Sequence, residues 1–386
     1  MKVVEVITDT NIGGAGVLLY TRLKHSDRSK FHIEVILPKG SALVKRLEEI
    51  HIVVHEIDAC RDRSFEVLAV WKYMTLLRKL RPDLVHCHGA LSARIVAMLC
   101  RVPVRLYTRH CVYPLSALQK SALGRFLIGH GQRLLSHRMI AVAHSAKQNL
   151  CDMGVPADRI SVIINGVEGL RTVSEQEKEA LRNRLGIPER ATVVGICARL
   201  EPCKGHSTFL ATAALILQQN RNYRFLIVGD GSLRETLLEE AKRLGISSQV
   251  IFAGFCSDVA PYVSLMRINV NCSVGTETSS LALSEGMSLG IPAVVSDYGG
   301  NPYMVRDGEN GFVVPQNDAK AFCEAVLRLG ENPMLYTQLS RGAKDRFLRE
   351  LNAKEMTKKT EELYWELFCQ SRLKSEQRGC NRKVNE

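Results

Sequence analysis

"INVNCSVGTETSSLALSEGMSLGIPAVVSD" (residues 268–297) reads as strand, loop, helix and strand in one stretch. "INVNCS" and "PAVVSD" are short apolar β-type runs, and a strand followed by a helix and a second such strand points to a parallel sheet. Ser279 or Ser280 would cap the helix and Gly290 would end it. Two residues sit oddly in this pattern. Glu277 lies in the loop, and Glu285 lies on a helix built around Leu281, Leu283, Met287 and Leu289. They are either surface decoration or two walls of one site.

The same alternation extends in both directions. Up to Asn165 the strand candidates are "VVEVIT", "HIEVILP", "IVVHEI", "LVHCHG", "VRLYTRH", "RMIAVA" and "ISVIIN". A second series holds "TVVGICAR", "YRFLIVGD", "QVIFAGF", "INVNCS", "PAVVSD" and "GFVVP", with helical patterns such as "GSLRETLLEEAKRLG" between them. Parallel sheets covered by helices on both faces are expected. The β pattern breaks in the polar stretch 165–191, so the fold expected is α/β with two facing Rossmann-like domains, 1–168 and 169–354. The tail 371–386 is polar and charged, and disorder is expected there.

At 386 residues, 46% apolar and 24% charged, the chain is too long for one ordinary core and reads as globular. It has no run of apolar residues long enough for a membrane span and no leader pattern at "MKVVEVITDT", so a cytoplasmic location is expected. The twelve cysteines contain no C-x-x-C pair, which argues for reduced and mostly buried thiols rather than zinc or redox chemistry. The net charge of +12 is uneven, with no acidic residue between Asp83 and Asp152. Arg94, Arg101, Arg105, Arg109, Lys120, Arg125, Arg133, Arg138 and Lys147 all fall in that interval. Such a field attracts anions. Nucleic acid is disfavoured as the partner, because no recognition helix, zinc spacing or aromatic-basic interleaving is visible. Residues 115–138, "LSALQKSALGRFLIGHGQRLLSHR", read instead as a basic amphipathic helix, broken at Gly124 and at Gly129–Gly131. Such a helix suits either its own domain or an anionic membrane surface, here the inner face.

In open parallel sheets ligands bind at the carboxyl ends of strands, where helix N-termini present unpaired N–H groups. After the first strand comes "TNIGGAGVLL", whose Gly13, Gly14 and Gly16 let backbone approach a phosphate or a sugar, or simply make a tight turn. No acidic residue closes the next strand, which disfavours a dinucleotide. His110 in "YTRHCVYP" lies just past a strand end. Arg199 and Lys204 in "ARLEPCKGH" are a fork and a point charge suited to a pyrophosphate. The amides of Ser280, Leu281 and Ala282 should point out of the helix end, with Glu277 beside them. Carboxylates such as Glu285 suit the paired hydroxyls of a ribose or a hexose. No D-x-D occurs, so no metal and no cofactor are expected.

With these residues in place, the chain resembles the family-four retaining glycosyltransferases of the GT-B fold (glycosyl transferases group 1). The resemblance rests on Glu277 and Glu285 as E-x7-E, on "ARL…KG", on "INGVE" (164–168), on "GG…VRDGENGFVVP" (299–315), and on the positions of "GGAG" and "TRH". It covers about residues 1–370 and implies a metal-independent transfer of a hexosyl group from a nucleoside diphosphate sugar, UDP being the commonest nucleotide, with retained configuration. Arg199 and Lys204 would hold the diphosphate, and Glu285 the ribose. Glu277 and His110 would meet the transferred sugar. Ser279, Ser280, Leu281, Gly14 and Gly16 would lie along the phosphates, with Gly13 and Asn165 on the acceptor side. A helix near 355–370 would pack back on the first domain. The acceptor would be a glycan or a lipid-linked saccharide in surface-polysaccharide assembly. A sugar-nucleotide epimerase of the same fold is the alternative. Two positions depart from the family pattern: "ETSS" stands where E-G-F-G is frequent, and Tyr303 where many members carry Glu.

Overall fold

The computed structural model describes residues 1–112, 114–275 and 277–384. The chain divides into two compact units, Met1–Asn165 with Ala353–Glu386, and Gly166–Asn352. The first holds seven strands: β1 (Lys2–Ile7), β2 (His32–Pro38), β3 (Val53–Ile57), β4 (Leu84–His88), β5 (Val104–Arg109), β6 (Arg138–Ala141) and β7 (Ile160–Val162). They pair in the order β3-β2-β1-β4-β5-β6-β7, every pair parallel. The second holds β8 (Thr192–Cys197), β9 (Tyr223–Val228), β10 (Val250–Gly254), β11 (Ile268–Asn271), β12 (Ala293–Ser296) and β13 (Gly311–Val314). Their order is β10-β9-β8-β11-β12-β13, again all parallel. Each apolar run read from the sequence is therefore a strand. In both sheets the order reverses once, between β1 and β4 and between β8 and β11. Ligands of such sheets bind at that reversal.

Burial follows from strands that are apolar on both faces. Val4, Val6 and Cys87 pack under the helices Val67–Leu80 and Leu91–Leu99, whose Tyr73, Leu77 and Val96 are buried. In the second unit Phe209, Phe225 and Phe322 fill the corresponding space. The C-terminal helix Ala353–Val384 counts with the first unit. There Glu361 accepts from the Asp27 amide at 3.0 Å, and Thr357 Oγ1 donates to the Arg22 carbonyl at 3.3 Å.

Several local expectations change. Residues 371–384, expected to be disordered, continue that helix. A docked helix needs no new nucleus to propagate, and this stretch is rich in Lys, Arg, Glu and Gln and contains no proline. Asn385 and Glu386 lie outside the described residues. The basic segment breaks at Ser121, not at its glycines, giving helices Ala117–Lys120 and Ala122–Leu135, each N-capped by a serine hydroxyl. A Cβ at Gly129 would stand 2.2 Å from the Gly154 carbonyl oxygen, so this glycine serves close packing rather than a bend. The eleven cysteines from Cys60 to Cys369 are free, but of these only Cys60, Cys87, Cys272 and Cys323 are fully buried.

The acid-free interval is not one basic face. Arg94 is buried against the Tyr107 ring, with hydrogen bonds to Gln132 and Ser136. Arg105 donates to the carbonyls of Val102 and Leu134, Arg109 to Asn149, and Arg138 to the Asp158 carbonyl. Arg101, Lys120, Arg125 and Arg133 remain exposed.

Gly129→Ala is expected to lower stability by about 1–3 kcal/mol through overpacking. Gly131→Ala, in the same helix with nothing within 4 Å of the added carbon, should raise it by about 0.5–1 kcal/mol. Thermal unfolding of the two variants checks both signs.

Candidate active site

At the reversal in the second sheet, two loops are pressed together. After β8 the chain passes Arg199 and turns at Lys204 and Gly205. Gly205 has φ +69°, and a Cβ there would lie 2.0 Å from the Cys272 carbonyl oxygen, just past β11. Only glycine permits this approach. It brings Lys204 Nζ to 2.8 Å from Glu277 Oε2. The same oxygen accepts from Ser273 Oγ at 2.8 Å and Asn271 Nδ2 at 3.4 Å, so three donors converge on one oxygen of the buried Glu277 carboxylate. On its other side Gly300 lies against the loop, where a Cβ would fall 1.6 Å from the Thr278 carbonyl oxygen. The "GG" at 299–300 is thus a packing requirement of the Glu277 loop.

The helix Leu281–Ser288 begins here, and Ser280 is its cap, its hydroxyl accepting from the Leu283 amide. The Ser280 amide does not point outward as expected, because it donates to Met304 Sδ at 3.1 Å. First-turn amides have no partner within a helix, which leaves those of Leu281 and Ala282 facing outward. The Ser279 hydroxyl is buried without a hydrogen-bond partner. A narrow pocket is lined by Cys197, Lys204, Asn271, Ser273, Ser280 and Leu283. Glu285 is half-buried, and burial pushes its carboxyl up. Among the described residues no cation pairs with it. Arg199 is exposed on the β8 loop, and no ion pair holds it among the described residues.

Gly13, Gly14, Gly16, His110 and Asn165 belong to the first unit. Gly13 caps the helix Gly14–Lys24 with ordinary extended backbone (φ −84°, ψ −176°), and a side chain at Gly14 would meet nothing within 4 Å. The turn itself does not demand glycine there. Asn165 is buried at the end of the unit. Asp9, beside Gly13, is half-buried, and burial reinforced by Asp62 raises its carboxyl. His110 Nε2 lies 2.9 Å from His88 Nδ1, and His88 Nε2 lies 3.1 Å from Glu5 Oε2. Burial, reinforced by His88, pushes His110 down to about 3, so its ring is neutral near neutral pH.

Sequence reasoning passed over Glu5, Arg22, His86, His88 and Tyr364. The signal was present as polar residues inside apolar strands, Glu5 in "VVEVIT" and the i, i+2 histidines of "LVHCHG", with Glu5 and His86 in register. Donor atoms of Glu5, His86 and His88 lie within 4.8 Å of one another, as in a cation site. Here the Arg22 guanidinium, paired with Glu5, supplies the cation.

The fold is similar to that of Anabaena HepE in complex with UDP, with a TM-score of 0.81 and 23% identity over 95% of this chain and 100% of that one. Two family models match, "Glycosyltransferase Family 4" over residues 12–168 and "Glycosyl transferases group 1" over residues 177–346. The chain is a glycosyltransferase of the GT-B fold. This glycosyltransferase is 29% identical over 276 residues to the putative glycosyltransferase EpsD of Bacillus subtilis, covering 69% of this chain and 72% of that one. It is 26% identical to the UDP-Gal:alpha-D-GlcNAc-diphosphoundecaprenol alpha-1,3-galactosyltransferase of Escherichia coli, over 87% of this chain and 89% of that one.

Histidines that burial holds below their ordinary value, His86, His110 and His206, lower the stability of this glycosyltransferase in acid. His206 has no partner for either ring nitrogen, and burial, reinforced by Lys204, pushes it down to about 4. His110 is held at about 3, against an ordinary 6.5 for both. Below about pH 6.5 the unfolded chain takes up protons that the folded chain refuses, so stability falls as pH falls, by up to about 1.4 kcal/mol per pH unit for each group. The unfolding midpoint should therefore drop between pH 7 and pH 5, and drop less in His206→Leu. An equal drop in both proteins would contradict the assignment.

Proposed function

We propose that this glycosyltransferase moves a hexosyl group from a nucleoside diphosphate sugar, specifically a UDP-sugar, to an acceptor hydroxyl, with retained configuration and without a metal ion. The observation that carries this reading is the Lys204–Glu277 pair at the β8/β11 reversal, beside the outward amides of Leu281 and Ala282. Charge develops on the diphosphate as the glycosidic bond breaks. Preorganised cations and N–H groups stabilise that state more than the ground state. Lys204 and Arg199 supply the cations, and Ser279 and the two amides the neutral donors. Glu277 accepts from hydroxyls of the transferred sugar, and its hold on Lys204 keeps the ammonium in place before the donor arrives. Glu285, a carboxylate raised by burial and without a cation, gains hydrogen-bond donors when a ribose meets it. Of the first unit's residues, His110 serves the transferred sugar, Gly14 and Gly16 the phosphates, and Gly13 and Asn165 the acceptor. The UDP complex of HepE supports the nucleotide assignment.

For the acceptor we propose a lipid-linked saccharide at an anionic membrane surface, in surface-polysaccharide or glycan assembly. The diphosphoundecaprenol in the name of the Escherichia coli relative supports this. So do Leu123, Phe126, Leu127 and Leu134, an exposed stripe on the helix Ala122–Leu135, with Phe126 68% exposed among Lys120, Arg125 and Arg133. On the neighbouring helical layer Leu68 and Trp71 are exposed as well. Among the described residues no helix is long and apolar enough to cross a membrane.

Lys204→Ala and Arg199→Ala should each lower kcat by about 10²- to 10³-fold with the fold intact. A variant keeping half of the wild-type turnover rules its residue out. UDP at about 100 Kd should stabilise the wild type by about 2.7 kcal/mol, equally with EDTA, and Glu285→Ala should lose most of that shift. A shift that needs divalent metal overturns metal independence. Sedimentation with liposomes should show binding to anionic vesicles that weakens with salt and falls in Phe126→Ser with Leu127→Ser; no binding at low salt removes the membrane reading.

A further inference from the structure

Three arginines line one pocket at the amino-terminal edge of the second sheet, the edge opposite the Lys204–Glu277 pair. The pocket holds about 420 Å³, and its walls include Arg182, Arg190, Thr192, Arg267 and Tyr336. Among the described residues no carboxylate lines it. The acids closest in sequence, Glu189 and Glu331, are exposed, and Glu331 accepts from Asn220 Nδ2 at 3.1 Å. β8 and β11 both start here and end at the pocket beside Lys204. A strand rises about 3.3 Å per residue, so the two pockets lie roughly 15–20 Å apart.

The three cations are not equivalent. Arg182 belongs to the frame. It lies in the last turn of the helix Glu175–Arg184, and its Nη1 donates to the carbonyls of Pro188 and Glu189 at 2.8 and 3.0 Å, its Nη2 to that of Ala191 at 3.4 Å. These bonds fold the approach to β8 so that Arg190 and Thr192 meet the pocket. Arg267 is half-buried, with its guanidinium carbon 3.8 Å from the centroid of the Tyr336 ring. Stacking covers a face of the guanidinium and leaves its N–H groups, which lie in the plane, free to donate. Among the described residues no oxygen accepts from the side chain of Arg267 or of the exposed Arg190. An arginine kept only to end a helix would bond the last carbonyls. Arg267 follows the helix Ala260–Leu265 by two residues and bonds none of them. Burial pushes the Tyr336 hydroxyl up, so the phenol keeps its proton at neutral pH.

A cavity walled by unpaired N–H and O–H groups, two of them on guanidinium ions, selects an anion. Its volume falls in the range of small-molecule sites and exceeds what a bare ion needs. A carboxylate engages one fork side by side, whereas a tetrahedral phosphate takes hydrogen bonds from several directions at once. We propose that this pocket binds the phosphate group of a small phosphorylated molecule, held between the guanidinium groups of Arg190 and Arg267 with the hydroxyls of Thr192 and Tyr336 beside them, as a site separate from the sugar-nucleotide pocket. Arg182 contributes its charge while its hydrogen bonds hold the wall.

The test is NMR of the full-length chain with ¹⁵N-labelled arginine side chains, titrated with inorganic phosphate and with glycerol 3-phosphate at an ionic strength held constant by chloride. Arg190→Gln and Arg267→Gln assign the two Nε–H signals. Arg190 is exposed, so its variant keeps the fold even where Arg267→Gln does not. Both signals should shift together and saturate with either phosphate, and not with chloride alone. Each of the two substitutions should weaken binding about 10- to 100-fold, as loss of a hydrogen bond to a charged group does, while Lys204→Ala leaves it unchanged. Shifts that chloride reproduces overturn the proposal, as does an Arg190→Gln variant that binds phosphate like the wild type. Loss of the shifts in Lys204→Ala also overturns it, by putting the phosphate in the sugar-nucleotide pocket. If vesicles containing phosphatidic acid displace glycerol 3-phosphate where phosphatidylcholine vesicles do not, the phosphate is a lipid headgroup and the small-molecule assignment falls. None of these readouts uses a sugar donor, so failure of the transferase reading leaves the site standing.

Discussion

A carboxylate in the middle of a parallel sheet cannot remain charged without partners, since an unpaired buried ion costs several kcal/mol. Glu5 is placed there by β1, and its partners come from distant parts of the chain. Arg22 arrives with the first helix, His88 with the end of β4, and Tyr364 with the last helix. None of these segments can be withdrawn without leaving a charge or a donor stranded in the core. The closure of the first unit, including the return of the chain after Asn352, is organised around satisfying that one ion.

The second unit repeats the construction with one difference. Glu277 is also a buried carboxylate at a sheet reversal, matched by a cation and two neutral donors. Glu5 is sealed, whereas the partners of Glu277, Lys204, Asn271 and Ser273, line a narrow pocket beside the start of the helix Leu281–Ser288. The sealed network therefore has only the protein to act on. The set around Glu277 instead reaches a pocket through Lys204, Asn271 and Ser273. Glu285 marks the contrast most clearly, because burial raises its carboxyl and no cation among the described residues lowers it again. A group left in that condition is stabilised by whatever brings hydrogen-bond donors to it.

Much of this was legible in the sequence, for identifiable reasons. The strands stood out because each is a short apolar run bounded by polar, Gly or Pro residues, and a strand-helix-strand order admits few topologies. The cap at Ser280 and the loops bearing Lys204 and Glu277 follow from local chemistry, so they too could be read. The Glu5 network could not. Periodicity says which face a residue occupies, but the partner of Glu5 at Tyr364 lies at the far end of the chain, and no local pattern links them. Gly129 misled for a related reason. A glycine in a helix reads locally as a weak point, while its actual role depends on a backbone carbonyl at Gly154 that only the tertiary fold brings near.

Charge counting fails in the same way, and the failure sharpens the question of the partner. The interval from Asp83 to Asp152 reads as a field of cations, yet Arg94, Arg105, Arg109 and Arg138 are spent on Tyr107, on carbonyls and on Asn149 inside the unit. What faces outward is smaller and more specific: Arg101, and on one helix and its approach Lys120, Arg125 and Arg133 set among Leu123, Phe126, Leu127 and Leu134. A nucleic acid would use the cations and leave the phenyl and leucyl groups in water. An anionic bilayer uses both, since burying apolar surface returns about 25 cal/mol per Å² while the headgroups meet the charges. It is therefore the exposed apolar stripe, more than the net charge of +12, that favours a membrane surface over other polyanions as the proposed partner of this helix.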